Sequence, residues 1–173
     1  MTTNPSNRNT GNTGIEHVTD HNNLHLAFNT QRISIPASHA YASGGATLAN
    51  NDSISFPDAG IPVGTVAYSF PADWATIHVD LLYIPLGTGN VRLGINRQFL
   101  SDGVAIPGFT AITSATYPAV SGQFQVARLT TGFALSGTAH THTVFQYYRD
   151  AAHGTDTVAA AISTYGIIIT KAS

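Results

Sequence analysis

Trp74-Ala75-Thr76-Ile77-His78-Val79-Asp80-Leu81-Leu82-Tyr83-Ile84 is the stretch that decides the fold. Ala75, Ile77, Val79, Leu81 and Tyr83 fall on one side of an extended chain, and Thr76, His78 and Asp80 fall on the other. That period of two is the mark of a half-buried strand. Working outward, Asn90 to Leu100 repeats the device, with Val91, Leu93, Ile95 and Phe99 on the inner side and Arg92, Asn96 and Gln98 on the outer. Gly64 to Phe70 sets Val66, Tyr68 and Phe70 on one face. Arg32 to Ile35, Ser53 to Phe56, Gln123 to Leu129, Thr143 to Arg149 and Tyr165 to Lys171 complete a set of roughly eight or nine short strands. Pro57, Pro62, Pro71, Pro85, Pro107 and Pro118 are expected at strand ends, since proline cannot donate to a ladder. No helical pattern alternates with the strands, which excludes a parallel α/β sheet. The expected fold is an all-β, antiparallel jelly-roll sandwich with Val66, Tyr68, Phe70, Ile77, Val79, Leu81, Tyr83, Leu93 and Ile95 in its core.

Composition narrows what such a domain does. The chain has 173 residues, of which 9% are charged, and its net charge is −2. With Lys171 as the single lysine, there is no basic footprint for nucleic acid and none for a membrane surface. The absence of cysteine removes disulfides, thiol nucleophiles and thiolate metal sites. No apolar run reaches membrane-spanning length. Met1 to Gly14 is built of Asn, Thr, Ser and Gly, so residues 1–14 are expected to be an extended anchoring arm without the apolar core of a signal peptide. Residues 15–30 read as a short α-helix, capped by Thr19 or Asp20, with Val18, Leu24 and Phe28 as an apolar stripe and His21 and His25 beside it. A helix so short needs a neighbour, which makes it an attachment or oligomerisation element. Residues 31–173 form the sandwich.

Catalytic signatures are missing. The sequence lacks a G-x-S-x-G elbow, a phosphate-cradling loop and H-E-x-x-H, and its single glutamate is Glu16. Asp52, Asp58, Asp73 and Asp102 sit in turn contexts, so no enzyme activity and no cofactor are expected. His78 and Asp80 share the outward side of one strand and read as a polar surface pair. His140 and His142 also share a side, and three copies around an axis would gather their imidazoles, while a plain polar strand face is the simpler explanation. They are weak metal candidates. Trp74, Tyr83, Tyr117, Tyr147 and Tyr148 offer ring faces to a sugar, and burial ends that reading for any one of them. Arg149 is expected to pair with a carboxylate. Leu82 and Ile84 lie opposite the core set, where a monomer would expose them, which favours symmetric association.

Two stretches resemble known proteins. His17-Val18-Thr19-Asp20-His21-Asn22-Asn23-Leu24-His25, followed by Phe28-Asn29, resembles the H-V-x-D-H-N-x-L-H element of minor tail and fibre-like proteins of actinobacterial phages. From about Ala67 to Ile169 the chain is similar to a jelly-roll domain recurring in phage virion proteins. The similarity rests on Trp74 to Val79, Ser101 to Ala105, Phe145-Gln146-Tyr147-Tyr148-Arg149-Asp150, Gly154 to Thr157 and Tyr165-Gly166-Ile167. It departs from that pattern at Ile162 to Tyr165. His140-Thr141-His142 is similar to the H-x-H elements of T-even tail fibres. The resemblance implies a trimeric, tumour-necrosis-factor-like jelly roll on a virion surface, made in the host cytoplasm. Implied partners are copies of the chain, other tail or capsid proteins and a host cell-surface glycan. A minor tail or fibre component, a capsid decoration protein or head fibre, and a glycan-binding module are the functions these readings leave open.

Overall fold

An alternating strand needs a hydrogen-bonded neighbour at its edge and an apolar layer against one face, and this chain meets both needs by folding into two facing antiparallel sheets. The computed structural model describes residues 32–49, 52–135 and 142–172. The anchoring arm, the helix with Val18, His21, Leu24, His25 and Phe28, and His140 lie outside the described residues. Within them the strands are β1 (Arg32–Pro36), β2 (Tyr41–Ser43), β3 (Thr47–Ala49), β4 (Ser53–Phe56), β5 (Val63–Ser69), β6 (Thr76–Pro85), β7 (Gly89–Leu100), β8 (Thr110–Ala119), β9 (Gln125–Ala134), β10 (His142–Arg149) and β11 (Ile162–Lys171). A single 3-10 turn, Ala37–His39, joins β1 to β2.

Sheet A runs β3-β4-β11-β6-β9, with β1 also on β11, and sheet B runs β2-β5-β10-β7-β8. The fold is an antiparallel jelly-roll β-sandwich. Strand alternation fills the space between the sheets from both sides. Ile77, Val79, Leu81 and Tyr83 of β6 are buried against Leu93, Ile95, Val66, Phe145 and Tyr147 of sheet B. Tyr68 and Phe70 are half-buried and pack on this core from its end, where Phe70 lies 5.7 Å from Trp74.

Several boundaries differ from the sequence expectation, each for a physical reason. Strand β8, Thr-Ala-Ile-Thr-Ser-Ala-Thr-Tyr-Pro-Ala, is not expected, because Thr113 and Ala115 on its inner side leave Tyr117 without an apolar period and Pro118 breaks the pattern. As the edge of sheet B it tolerates that proline. Pro118 therefore lies inside a strand, one residue before its end, whereas Pro85 is the last residue of β6, as expected. Strands β2 and β3 are too short to show a period. Trp74 and Ala75 precede β6: Trp74 turns inward and is 3% exposed, while Ala75 is exposed. Strand β11 begins earlier than expected, at Ile162, and carries a bulge between Thr164 and Gly166 that shifts its register on β6.

Burial has a consequence at high pH. Desolvation pushes the phenols of Tyr83 and Tyr147 up to about 12. The unfolded chain ionises its phenols near the ordinary value of 10.0, so between pH 10 and pH 12 it holds fewer protons than the folded chain. The stabilising effect is complete below about pH 10 and is lost as pH rises toward 12, at on the order of 1 kcal/mol per pH unit for each phenol. Urea midpoints are expected to fall steeply from pH 10 to pH 11.5, and Tyr83→Phe is expected to flatten that fall. An unchanged slope in the variant would contradict this origin.

Candidate functional site

Two glycines in strand interiors position a pair of adjacent tyrosines on the two faces of sheet B. Gly64 of β5 is the cross-strand partner of Tyr147, and Gly94 of β7 is the partner of Tyr148. Successive residues point to opposite faces, so Tyr147 enters the core and Tyr148 lies outside. A Cβ on Gly64 would sit 2.6 Å from Tyr147 Oη, and one on Gly94 would sit 2.5 Å from Tyr148 Oη. Each ring therefore lies over its glycine, and only glycine leaves room for it. Tyr148 ends half-exposed on the outer face, on the middle strand of sheet B and one residue before its end.

Register supplies its neighbours. Along β10 the same side carries Gln146 and, just past the strand, Asp150; along β7 it carries Arg92 and Asn96. All four are half-exposed. Arg92 Nη2 donates to Ser114 Oγ at 2.7 Å, and the Asp150 N–H donates to the Arg92 carbonyl at 2.9 Å, which places the two residues opposite each other. Gln98, further along the face, donates its amide to the Pro107 carbonyl and so ties the 101–109 loop to this side. Beneath, Arg149 is fully buried and holds the segment that follows β10, donating to both carboxylate oxygens of Asp156 at 2.9 and 2.7 Å. This is the carboxylate partner expected for Arg149.

The arrangement is an aromatic ring with a guanidinium and a carboxylate at one end and two primary amides at the other. It offers a ring face to C–H groups and donors and acceptors to hydroxyls around that face. Sequence reading singled out Tyr148 but not Arg92, Asn96, Gln146 or Asp150 as its companions. Glycines inside strands were the available signal, since they mark a close approach.

The other ring candidates are not available. Trp74, Tyr83 and Tyr147 are buried in the core. Tyr117 is half-buried and its hydroxyl donates to the Arg128 carbonyl at 2.6 Å; burial, with Asp80 adding to it, raises this phenol. His78 and Asp80 do share the outer face of sheet A, yet they serve separate partners. Asp80 pairs with Arg128, at 3.1 Å for the longer contact, while His78 Nδ1 accepts the Gly132 N–H at 3.0 Å. His142 is exposed at the start of β10, where its Nδ1 meets Ser69 Oγ. Among the described residues no group of three or more His, Asp or Glu gathers as a metal site.

No family model and no curated protein matches the sequence. Solved structures share the fold. The isomalto-dextranase of Arthrobacter globiformis T6, complexed with panose, matches 81% of this chain with 23% of its own at a TM-score of 0.58 and 16% identity. The insecticidal delta-endotoxin Cry8Ea1 of Bacillus thuringiensis matches 81% with 24% of its own, at 0.56 and 16%. The C-terminal family 22 carbohydrate binding module of Clostridium thermocellum Xyn10B matches 84% with 95% of its own, at 0.51 and 12%. The chain spans about a quarter of the first two proteins and nearly all of the third. At these identities the likeness is one of fold.

Proposed function

We propose that the jelly roll is a non-catalytic glycan-binding module, carried on a bacteriophage particle as a minor tail or fibre component that faces the host. The observation that carries the binding reading is Tyr148, held over Gly94 with Arg92, Asp150, Asn96 and Gln146 around it. Sugar recognition needs that combination of an apolar plane and a hydroxyl-reading border. The likeness to a carbohydrate binding module of nearly equal extent supports it. Placement on a particle rests on the sequence resemblance of His17 to Asn29 and of the jelly roll to phage virion proteins, with capsid decoration or a head fibre as the alternative. Immunogold labelling of particles separates tail from head.

The binding reading is tested on a glycan array followed by calorimetry. Wild type is expected to bind, and Tyr148→Ala to weaken binding about tenfold or more, as removal of a central aromatic anchor does. Gly94→Ala is expected to act likewise by lifting the ring. Binding that ignores both changes would overturn the site.

Self-association as a homotrimer is a second reading, favoured by one surface. Leu82 and Ile84 lie on the outer face of sheet A, and Val126, the cross-strand partner of Leu82, is 57% exposed. Ile168 of β11 extends this apolar strip. Light scattering is expected to give the mass of a trimer, and Val126→Asp to give that of a monomer. A wild-type monomer would rule the association out.

A further inference from the structure

We propose that the binding face continues across the strands to Tyr41, so that the site takes an extended, uncharged oligosaccharide rather than a single sugar. This rests on the glycan-binding reading above. Tyr41 stands in register with Thr65, Thr65 with Gln146, and Gln146 with Asn96, which forms one row across β2, β5, β10 and β7 on the outer face of sheet B. Tyr41 is 73% exposed on a three-residue edge strand, where it adds nothing to the core. Tyr148 lies one step along, in the row of Val63 and Gly94. Two strand spacings and a two-residue step put the Cα atoms of Tyr41 and Tyr148 about 12 Å apart, beyond the reach of one sugar ring.

The strip between the rings decides the chemistry of the ligand. Thr65 and Gln146 present a hydroxyl and a primary amide there, and Val63 presents an apolar edge. On the strands around Tyr148 the charged groups of this side, among the described residues, are Arg92 and Asp150, opposite in charge and opposite each other on the ladder; His153, in the turn after Asp150, meets Thr155, which in turn meets Thr116 beside Arg92. His142 lies at the far end of β10 and is engaged by Ser69. The local charges cancel, so the face offers no net attraction to a uronic acid or a phosphorylated sugar and suits a neutral chain.

Calorimetry with xylo-, cello- and isomalto-oligosaccharides, each from the monosaccharide to the hexaose, tests the proposal, with an array of acidic glycans beside them. In at least one neutral series affinity is expected to climb with length and then level off. Tyr41→Ala is expected to weaken the long members about tenfold and leave the short ones unchanged, whereas Tyr148→Ala weakens all of them. The urea midpoint of Tyr41→Ala is expected to match wild type, because the ring is exposed. Equal affinity for short and long members, or indifference of the long ones to Tyr41→Ala, overturns the extension while leaving the Tyr148 site standing. Binding to acidic glycans alone overturns the neutral class. Indifference to Tyr148→Ala, or no binding to any glycan, overturns the site and the extension together.

Discussion

Asp156→Ala is expected to destabilise the domain by about 3–5 kcal/mol, the cost of stranding a buried charge. Arg149 is 0% exposed and all five of its N–H groups are placed. Nε and Nη2 reach the Asp156 carboxylate, Nη1 reaches the carbonyls of Pro57 and Ala160 at 3.2 and 2.6 Å, and Nη2 also reaches the Val158 carbonyl. The carboxylate also accepts the backbone N–H of Arg92 at 3.0 Å, so one side chain pins the segment after β10 to the strand that carries the candidate site. Without it three carbonyls remain around the guanidinium, but no counter-charge does. A domain of this kind has roughly 5–15 kcal/mol of stability in all, so the loss is a large share. Joint replacement by Arg149→Met and Asp156→Leu is expected to cost less than Asp156→Ala alone, because it removes the charge together with its partner. Urea unfolding of the three proteins checks the order. A loss below about 1 kcal/mol in Asp156→Ala would place the guanidinium in solvent.

Gly166→Ala carries the second large effect, about 3 kcal/mol or more. Gly166 sits at the β11 bulge with φ of 119°, a region that L side chains rarely enter. A Cβ there would enter the carbonyl oxygen of Ile35 and lie 2.8 Å from Pro36 Cα and 2.9 Å from the Ala37 nitrogen. All three are backbone atoms, held where β1 leaves β11, and none can swing aside. The contrast with Gly94 is informative, since there the obstructing atoms are the tip of the Tyr148 ring. Gly94→Ala is therefore expected to keep most of the stability while losing the binding face, and Gly166→Ala the reverse. Thermal melts of both variants, run beside binding, separate the two roles.

The sandwich was legible where one face is apolar and the other polar. Strands β6 and β7 announce themselves through Ile77, Val79, Leu81, Leu93 and Ile95, because burial on one face enforces the alternation. Strand β8 was not legible, since an edge strand with Thr113 and Ala115 beside Tyr117 on its inner side has no strong apolar period and admits Pro118. The site was harder to read for a related reason. Tyr147 and Tyr148 are adjacent and both aromatic, and nothing local says which faces out. That is decided by Ile95, Gly64 and Gly94 on neighbouring strands, far away in sequence. The same long-range pairing sends Trp74 and Tyr83 inward and leaves Tyr41, on a strand too short to show a period, as the exposed ring of the outer face.

Where a sugar touches the domain decides whether the outer face of sheet B is its binding site. Backbone amide shifts of the labelled protein, followed by NMR through titration with a glycan that the array selects, answer this residue by residue. The account predicts saturable shifts at Gln146, Tyr148, Asn96 and Arg92, with Leu82, Val126 and Arg128 on the opposite sheet unmoved. Shifts confined to the outer face of sheet A, or to the 101–109 loop alone, would contradict it.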